Sequence, residues 1–218
     1  MGVRRLFTDA DLESIRAATA AAETRTSGEI VTYVVGRVAD HDEARWKAAT
    51  LGALGVALLA GLGHWLGGHW GGAGVLWITL PSLAGAAAGY LAAALVPAIE
   101  RRLISEDDVE RRVRLRAEAA FLEEEVFDTR ERTGILVLLA LFERRAVILA
   151  DAGIHRAVEA GVWERLVAEL VDGVKSRRAA AAMVSVVAQC GEILERGGVE
   201  LRTDDANELA DAPRVRDR

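Results

Sequence analysis

Asp151 stands where an apolar run, Val147–Ala150, ends, and Gly153 follows two residues later. A carboxylate leaving a strand into a tight turn can face a cleft and hold a cation, or a metal that in turn holds a phosphate. Glu29, ahead of the β-branched run Ile30–Val35, and Asp128, ahead of the apolar run Ile135–Leu141, are the carboxylates that can join it. Calcium takes six to eight oxygen ligands, so Asp151, Glu29 and Asp128 would need carbonyls and water to complete a calcium or magnesium shell. The competing reading is that Asp151 caps its own turn through backbone hydrogen bonds. No cofactor is dictated by the pattern beyond this candidate calcium or magnesium ion.

Arg130 and Arg132 flank Glu131 just before the apolar run at 135. A guanidinium there can hold a phosphate by paired hydrogen bonds, or pair with a neighbouring carboxylate. His155, four residues after Asp151, can serve as a phosphate contact or general acid, or cap the turn. Asp9-Ala10-Asp11 resembles an aspartyl-phosphate motif only superficially, because that chemistry needs a strand before the first aspartate and this pair opens a helix. Cys190 sits on an apolar helical stripe without a phosphate-binding loop beside it, which assigns it to the core. No complete catalytic constellation emerges. The residues point to a binding or scaffold module, with a metal-assisted acid phosphatase acting on phosphomonoesters as the alternative.

The elements that must position these groups are read from charge and periodicity. Ala48 to Ile99 is 52 residues without Asp, Glu, Lys or Arg, so all 60 charges fall on the other 166 residues. Ala48–Leu66 and Ala73–Val96 are each long enough to cross a hydrocarbon core of roughly 30 Å, and Gly67–Gly72 remains as the turn between them. Arg45 and Lys47 precede the first span, Arg101 and Arg102 follow the second, and the turn carries no basic residue, which places both flanks and both termini in the cytoplasm. Trp46, Trp65 and Trp70 mark the interfaces.

Within this hairpin, Gly85 and Gly89 form a small-xxx-small pair that can close the hairpin against Gly52 and Gly55 or pair two copies of the chain. His64 and His69, each followed by Trp, can anchor the turn at the interface or offer two imidazoles to a metal. Outside the hairpin acidic and basic residues interleave without a basic face, and the net charge is −6, which excludes nucleic acid as a partner. The membrane itself, and other membrane proteins, are the partners that remain.

Thr8 with Asp9 and Asp11 starts a helix carrying Leu12, Ile15, Thr19 and Ala22 on one face, and Glu29–Val35 reads as a strand. After the hairpin, Ser105 opens a helix ending near Phe127, and Ile135–Leu141 with Val147–Ala150 reads as a β-hairpin. Two amphipathic helices follow, striped by Val158, Val162, Leu166 and Leu170 and then by Met183, Val186 and Cys190. The result is an α/β fold, a small mixed sheet flanked by helices and interrupted by a two-helix transmembrane hairpin. Residues 1–45 and 100–196 are its two parts, 46–99 the hairpin, and 197–218 a flexible polar tail.

Several segments resemble the TPM domain family. Thr26-Ser27-Gly28-Glu29-Ile30 is similar to its first strand entry and Thr129-Arg130-Glu131-Arg132-Thr133-Gly134-Ile135-Leu136 to its signature before the hairpin. Ala146–Ile154 resembles its second hairpin strand and acidic turn, Trp163 falls at the matching helical place, and Asp204–Asp211 resembles the tail of the cytoplasmic bacterial branch. The resemblance implies a helix-flanked sheet and a membrane-associated role in protein maintenance, with acid phosphatase activity or calcium binding in some members. This chain departs from the pattern in its two inserted spans and in Ala210, where a proline is common. A bacterial inner-membrane protein follows from these readings together.

Overall fold

The computed structural model describes residues 3–67, 74–155, 161–197, 199, 201 and 207–217. It divides into two compact units, one of residues 1–39 and 109–218 and one of residues 40–108.

In the first unit, α1 (Asp9–Glu23) begins with a reciprocal cap. The Thr8 hydroxyl accepts from the Asp11 N–H at 3.1 Å, and the Asp11 carboxylate accepts from the Thr8 N–H at 2.8 Å. The chain then enters β1 (Ile30–Val35). After the second unit it returns through α5 (Glu106–Glu123) to the antiparallel pair β2 (Ile135–Ala140) and β3 (Arg145–Ala150). A single turn α6 (Ala152–His155) leads to α7 (Val162–Lys175) and α8 (Ala179–Arg196). The chain closes on β4 (Arg214–Arg216). The order across the sheet is β3-β2-β1-β4, with β1 parallel to both β2 and β4.

Both faces of the sheet are covered. Ile30, Val34, Ile135, Val137 and Leu139 join one core with Ile15 of α1, Leu166 and Leu170 of α7, and Met183, Val186 and Leu194 of α8. On the opposite face α5 turns Val113, Ala117 and Ala120 inward, and Arg116 donates to the Tyr33 hydroxyl while lying over its ring, 4.8 Å from the centroid. A strand buried on both faces cannot alternate apolar with polar residues, which is why β2 reads as the unbroken Ile-Leu-Val-Leu-Leu-Ala.

Composition assigns 197–218 to a loose tail, yet residues 214–216 are an edge strand. The exposed edge of β1 needs backbone partners, and the Gly36 N–H donates to the Arg216 carbonyl at 2.8 Å. Arg214 is anchored by Glu124 at 2.7 Å, with both side chains mostly buried. Three residues, two of them arginines, carry no periodic strand signal, so the sheet imposes this strand.

In the second unit α2 (Asp42–Leu66) and α3 (Gly74–Leu95) form an antiparallel hairpin followed by α4 (Pro97–Leu103). Two helices are long and apolar enough to cross a membrane, and only 6% and 11% of their apolar windows are buried. Core helices of a water-soluble body would be mostly buried; here Leu54, Leu58, Leu83 and Leu95 point outward. α2 begins six residues before the uncharged run, so Arg45 and Lys47 are helical. Arg45 lies 2.9 Å from Asp42 and 3.4 Å from the buried Glu100, and the Lys47 ammonium donates to the Leu103 carbonyl at 3.2 Å. Trp46 meets Tyr90 edge-on at 5.5 Å. These contacts tie the two ends of the hairpin together. α3 runs through Pro81, with the Ser82 hydroxyl donating to the Ile78 carbonyl.

The glycine stripe closes the hairpin. A Cβ on Gly52 would run into the Gly85 carbonyl, and one on Gly89 into the Ala48 carbonyl. Gly55, the other expected partner, has open space around it among the described residues. A homodimer through Gly85 and Gly89 would therefore have to displace α2. His69 and Trp70, the second His-Trp pair of the turn, lie outside the described residues.

Backbone approach of this kind leaves no room for a methyl group. Gly52→Ala or Gly89→Ala is expected to destabilise the hairpin by about 1–3 kcal/mol, whereas Gly55→Ala should change stability by under about 0.5 kcal/mol. Thermal unfolding of the detergent-solubilised chain, followed by far-UV circular dichroism, separates the two classes.

Candidate functional site

One end of the sheet gathers most of the residues singled out in the sequence. Because β1 runs parallel to β2, and β3 antiparallel to it, Ile30, Ile135 and Ala150 share a row, and Glu29, Gly134 and Asp151 form the next row outward. The Ile135 N–H donates to the Glu29 carbonyl at 2.8 Å and the Asp151 N–H to the Gly134 carbonyl at 2.9 Å. Two strand entries and one exit thus bring segments from residues 29, 129–134 and 151–153 together, although 122 residues separate Glu29 from Asp151 in the chain.

Asp151 is buried and already engaged. One carboxylate oxygen accepts from the Ala152 N–H at 2.6 Å, capping α6, and the other lies 2.8 Å from the Arg132 Nε. The turn-capping role and a local ion pair are therefore both realised. Arg132, exposed and at φ 59°, adopts the left-handed backbone conformation that costs a non-glycine residue of the order of 1 kcal/mol or more. The turn is held by the Arg132 N–H to the Thr129 carbonyl at 3.1 Å and the Thr133 N–H to the Thr129 hydroxyl at 3.0 Å. The Arg132 carbonyl accepts the Gly153 N–H at 3.0 Å. A side chain at Gly153 would strike that carbonyl, which explains the glycine.

Glu29 is buried, and its Oε1 accepts the Glu208 N–H at 3.0 Å. Glu208 in turn accepts the Arg130 N–H through Oε2 at 3.1 Å. Arg130 therefore enters the site through its backbone. Asp128 is exposed in the preceding turn, its N–H bonded to the Glu125 carbonyl at 2.7 Å. The side chain of His155 lies outside the described residues. Among the described residues no three His, Cys, Asp or Glu side chains come together at metal-holding spacing. Asp151, Glu29 and Asp128 are placed at one end of the sheet without forming such a group.

Thr26, Glu29, Asn207 and Asp211 of the adjoining cavity fall in the TPM-like segments, whereas Glu23, its most perturbed residue, belongs to no motif. About 470 Å³ in volume, the cavity is bounded by Ala20, Glu23 and Thr24 at the end of α1, Thr26 and Glu29 before β1, and Leu201, Asn207 and Asp211 from the C-terminal segment. The Glu23 carboxylate accepts the Ile30 N–H at 2.9 Å through Oε1, and its other oxygen is buried. Burial, with Glu29 and Asp211 close by, pushes the Glu23 carboxyl up to about 8. Glu23 is the last residue of α1, where the helix dipole disfavours negative charge, and no basic residue occupies that turn.

The whole chain has a structural counterpart. It aligns with the BA42 protein of the psychrophilic bacterium Bizionia argentinensis, solved by NMR, with a TM-score of 0.57 over 95% of this chain and 94% of that one. The chain shares the BA42 fold. At 16% identity the likeness concerns the fold alone. No family model matches the sequence, and no curated protein matches it.

Arg132→Ala and Arg132→Gly both remove the ion pair to Asp151, but only glycine accepts a positive φ without strain. The glycine variant is expected to be the more stable of the two by about 0.5–1 kcal/mol, read from urea unfolding midpoints of the full chain in detergent.

Proposed function

We propose that the chain is a membrane-anchored, TPM-type binding or scaffold module. On this reading the hairpin of α2 and α3 crosses a bacterial inner membrane, both termini face the cytoplasm, and the α/β unit serves the upkeep of other membrane proteins. The observation that carries the reading is the state of the polar groups at the sheet end. Arg132 is bound to Asp151, Glu29 holds the Glu208 N–H, and Glu208 holds the Arg130 N–H. Among the described residues, these charged groups at the sheet end are committed to one another, which suits a shaped surface better than a reacting centre. The TPM-like segments Thr26–Ile30, Thr129–Leu136 and Ala146–Ile154 supply the residues of that end, and the fold shared with BA42 agrees with them. The outward-pointing leucines of α2 and α3, and the basic flanks Arg45, Lys47, Arg101 and Arg102, support the topology.

Three measurements test this. A fluorescent reporter fused after Arg218 should be cytoplasmic, and the protein should sediment with membranes after alkaline washing; release into the supernatant would remove the anchor. The purified chain should hydrolyse a generic phosphomonoester no faster than the Asp151→Asn variant across acidic and neutral pH. Turnover that disappears in Asp151→Asn would replace the scaffold reading with the phosphatase.

A further inference from the structure

The C-terminal segment is stitched to the first unit along its length. The Glu208 N–H reaches Glu29, Asp211 lines the cavity opposite Glu23, and Arg214 pairs with Glu124. Arg214 also donates to the carbonyls of Ala210 and Ala212. Arg216 accepts the Gly36 N–H, and the Asp217 carboxylate accepts the Val3 N–H at 2.9 Å. The weakest stretch electrostatically is its crossing of the end of α1, where carboxylates from three elements line one cavity: Glu23, Glu29 and Asp211.

We propose that residues 207–217 form a proton-gated strap: a neutral Glu23 carboxyl holds Asp211 against α1 and keeps β4 on the edge of β1, and loss of that proton lets the strap lift.

The other charges around Glu23 do not cancel the repulsion that follows. Arg16, two turns back on α1, attracts Asp211 but is itself bound bidentately by Glu13 at 2.6 and 2.9 Å. Arg25 lies 4.0 Å from Glu195 of α8. Glu208, whose N–H is held by Glu29, adds another carboxylate nearby on the same segment as Asp211. With Glu23 ionised, Glu29 and Asp211 meet a third negative charge beside them, in a partly desolvated cavity where like charges are poorly screened.

Proton linkage sets the direction of the pH dependence. The Glu23 carboxyl is raised from 4.5 to about 8 when the strap is down. Burial is the main cause of that rise and Glu29 and Asp211 add to it, so opening the cavity and withdrawing Asp211 loosens the hold on the proton, and unfolding releases it fully. The extra stability of the strapped state is complete below about 4.5, declines as pH rises, and is gone once pH passes about 8. Lifting uncovers the backbone of β1 at Tyr33, Val34 and Val35, the residues that β4 pairs with.

Hydrogen–deuterium exchange of the full chain in nanodiscs, expressed as protection factors so that the intrinsic pH dependence cancels, reads the strap directly. Protection of residues 207–217 and of Gly36 should fall at least tenfold between pH 6 and pH 9 in the wild type. Glu23→Gln, neutral at every pH, should keep the pH 6 protection at pH 9. Asp211→Asn, which removes one of the three charges, should shrink the fall and serves as the deciding variant if Glu23→Gln does not fold. A wild type whose protection is flat across this range, or an undiminished fall in both variants, overturns the proposal.

Discussion

A parallel strand pair cannot be joined by a tight turn, and this constraint organises the chain. β1 and β2 are parallel, so the polypeptide leaving β1 at Val35 must travel back along the sheet before it can enter β2 at Ile135. The return is made by α5, which lies over the face carrying Tyr33 and buries Val113, Ala117 and Ala120. Between the strand and that helix the connection is free to lengthen, and the α2–α3 hairpin with α4 is inserted there. An insertion within a crossover leaves every strand register unchanged, which is how the α2–α3 hairpin and the α/β unit can share one chain.

The same topology makes the polar end of the sheet. Parallel β1 and β2 start at one end and antiparallel β3 finishes there, so the backbone polar groups just beyond them concentrate in one place. Side chains answer them locally. Asp151 caps α6 and binds Arg132, Glu29 and Glu208 hold N–H groups from separate segments, and Thr129 closes its own turn. The left-handed conformation of Arg132 fits this pattern, since the ion pair and the Gly153 N–H on its carbonyl jointly fix a backbone that its side chain alone would avoid.

How legible these features are in the sequence depends on whether they are local. β2 is readable to within a residue, because its apolar run, bounded by a glycine and a charged turn, is long enough for a strand and too short for a helix. β3 runs from Arg145, two residues earlier than the apolar signal: Arg145 is charged, and Ala146, though buried, is too small and too common in helices to mark a strand. The cap at Thr8 is visible in its own tetrapeptide. The paired partner of Asp151 is visible only as one of two arginines, and their types and spacing do not distinguish which of them faces the carboxylate. β4 and the meeting of Glu23 with Asp211 are invisible, since they arise when a segment near residue 211 is laid across the end of a helix at residue 23. Nothing in either stretch encodes the distance to the other.

Glu23 shows what such a long-range contact does to chemistry. In the sequence it is one acid at the close of an amphipathic helix, with nothing to set it apart. The fold gives its first oxygen to the Ile30 N–H, buries the second, and sets Glu29 and Asp211 beside it. Each step is separately reasonable: a strand entry needs an acceptor, a helix end needs cover, and the C-terminal segment needs an anchor near β1. Their sum is a site where a carboxyl is more stable protonated than ionised near neutrality. The cost arises from geometry that the rest of the fold requires, so relieving it by moving Asp211 away would leave the edge of β1 without the strand that now covers it.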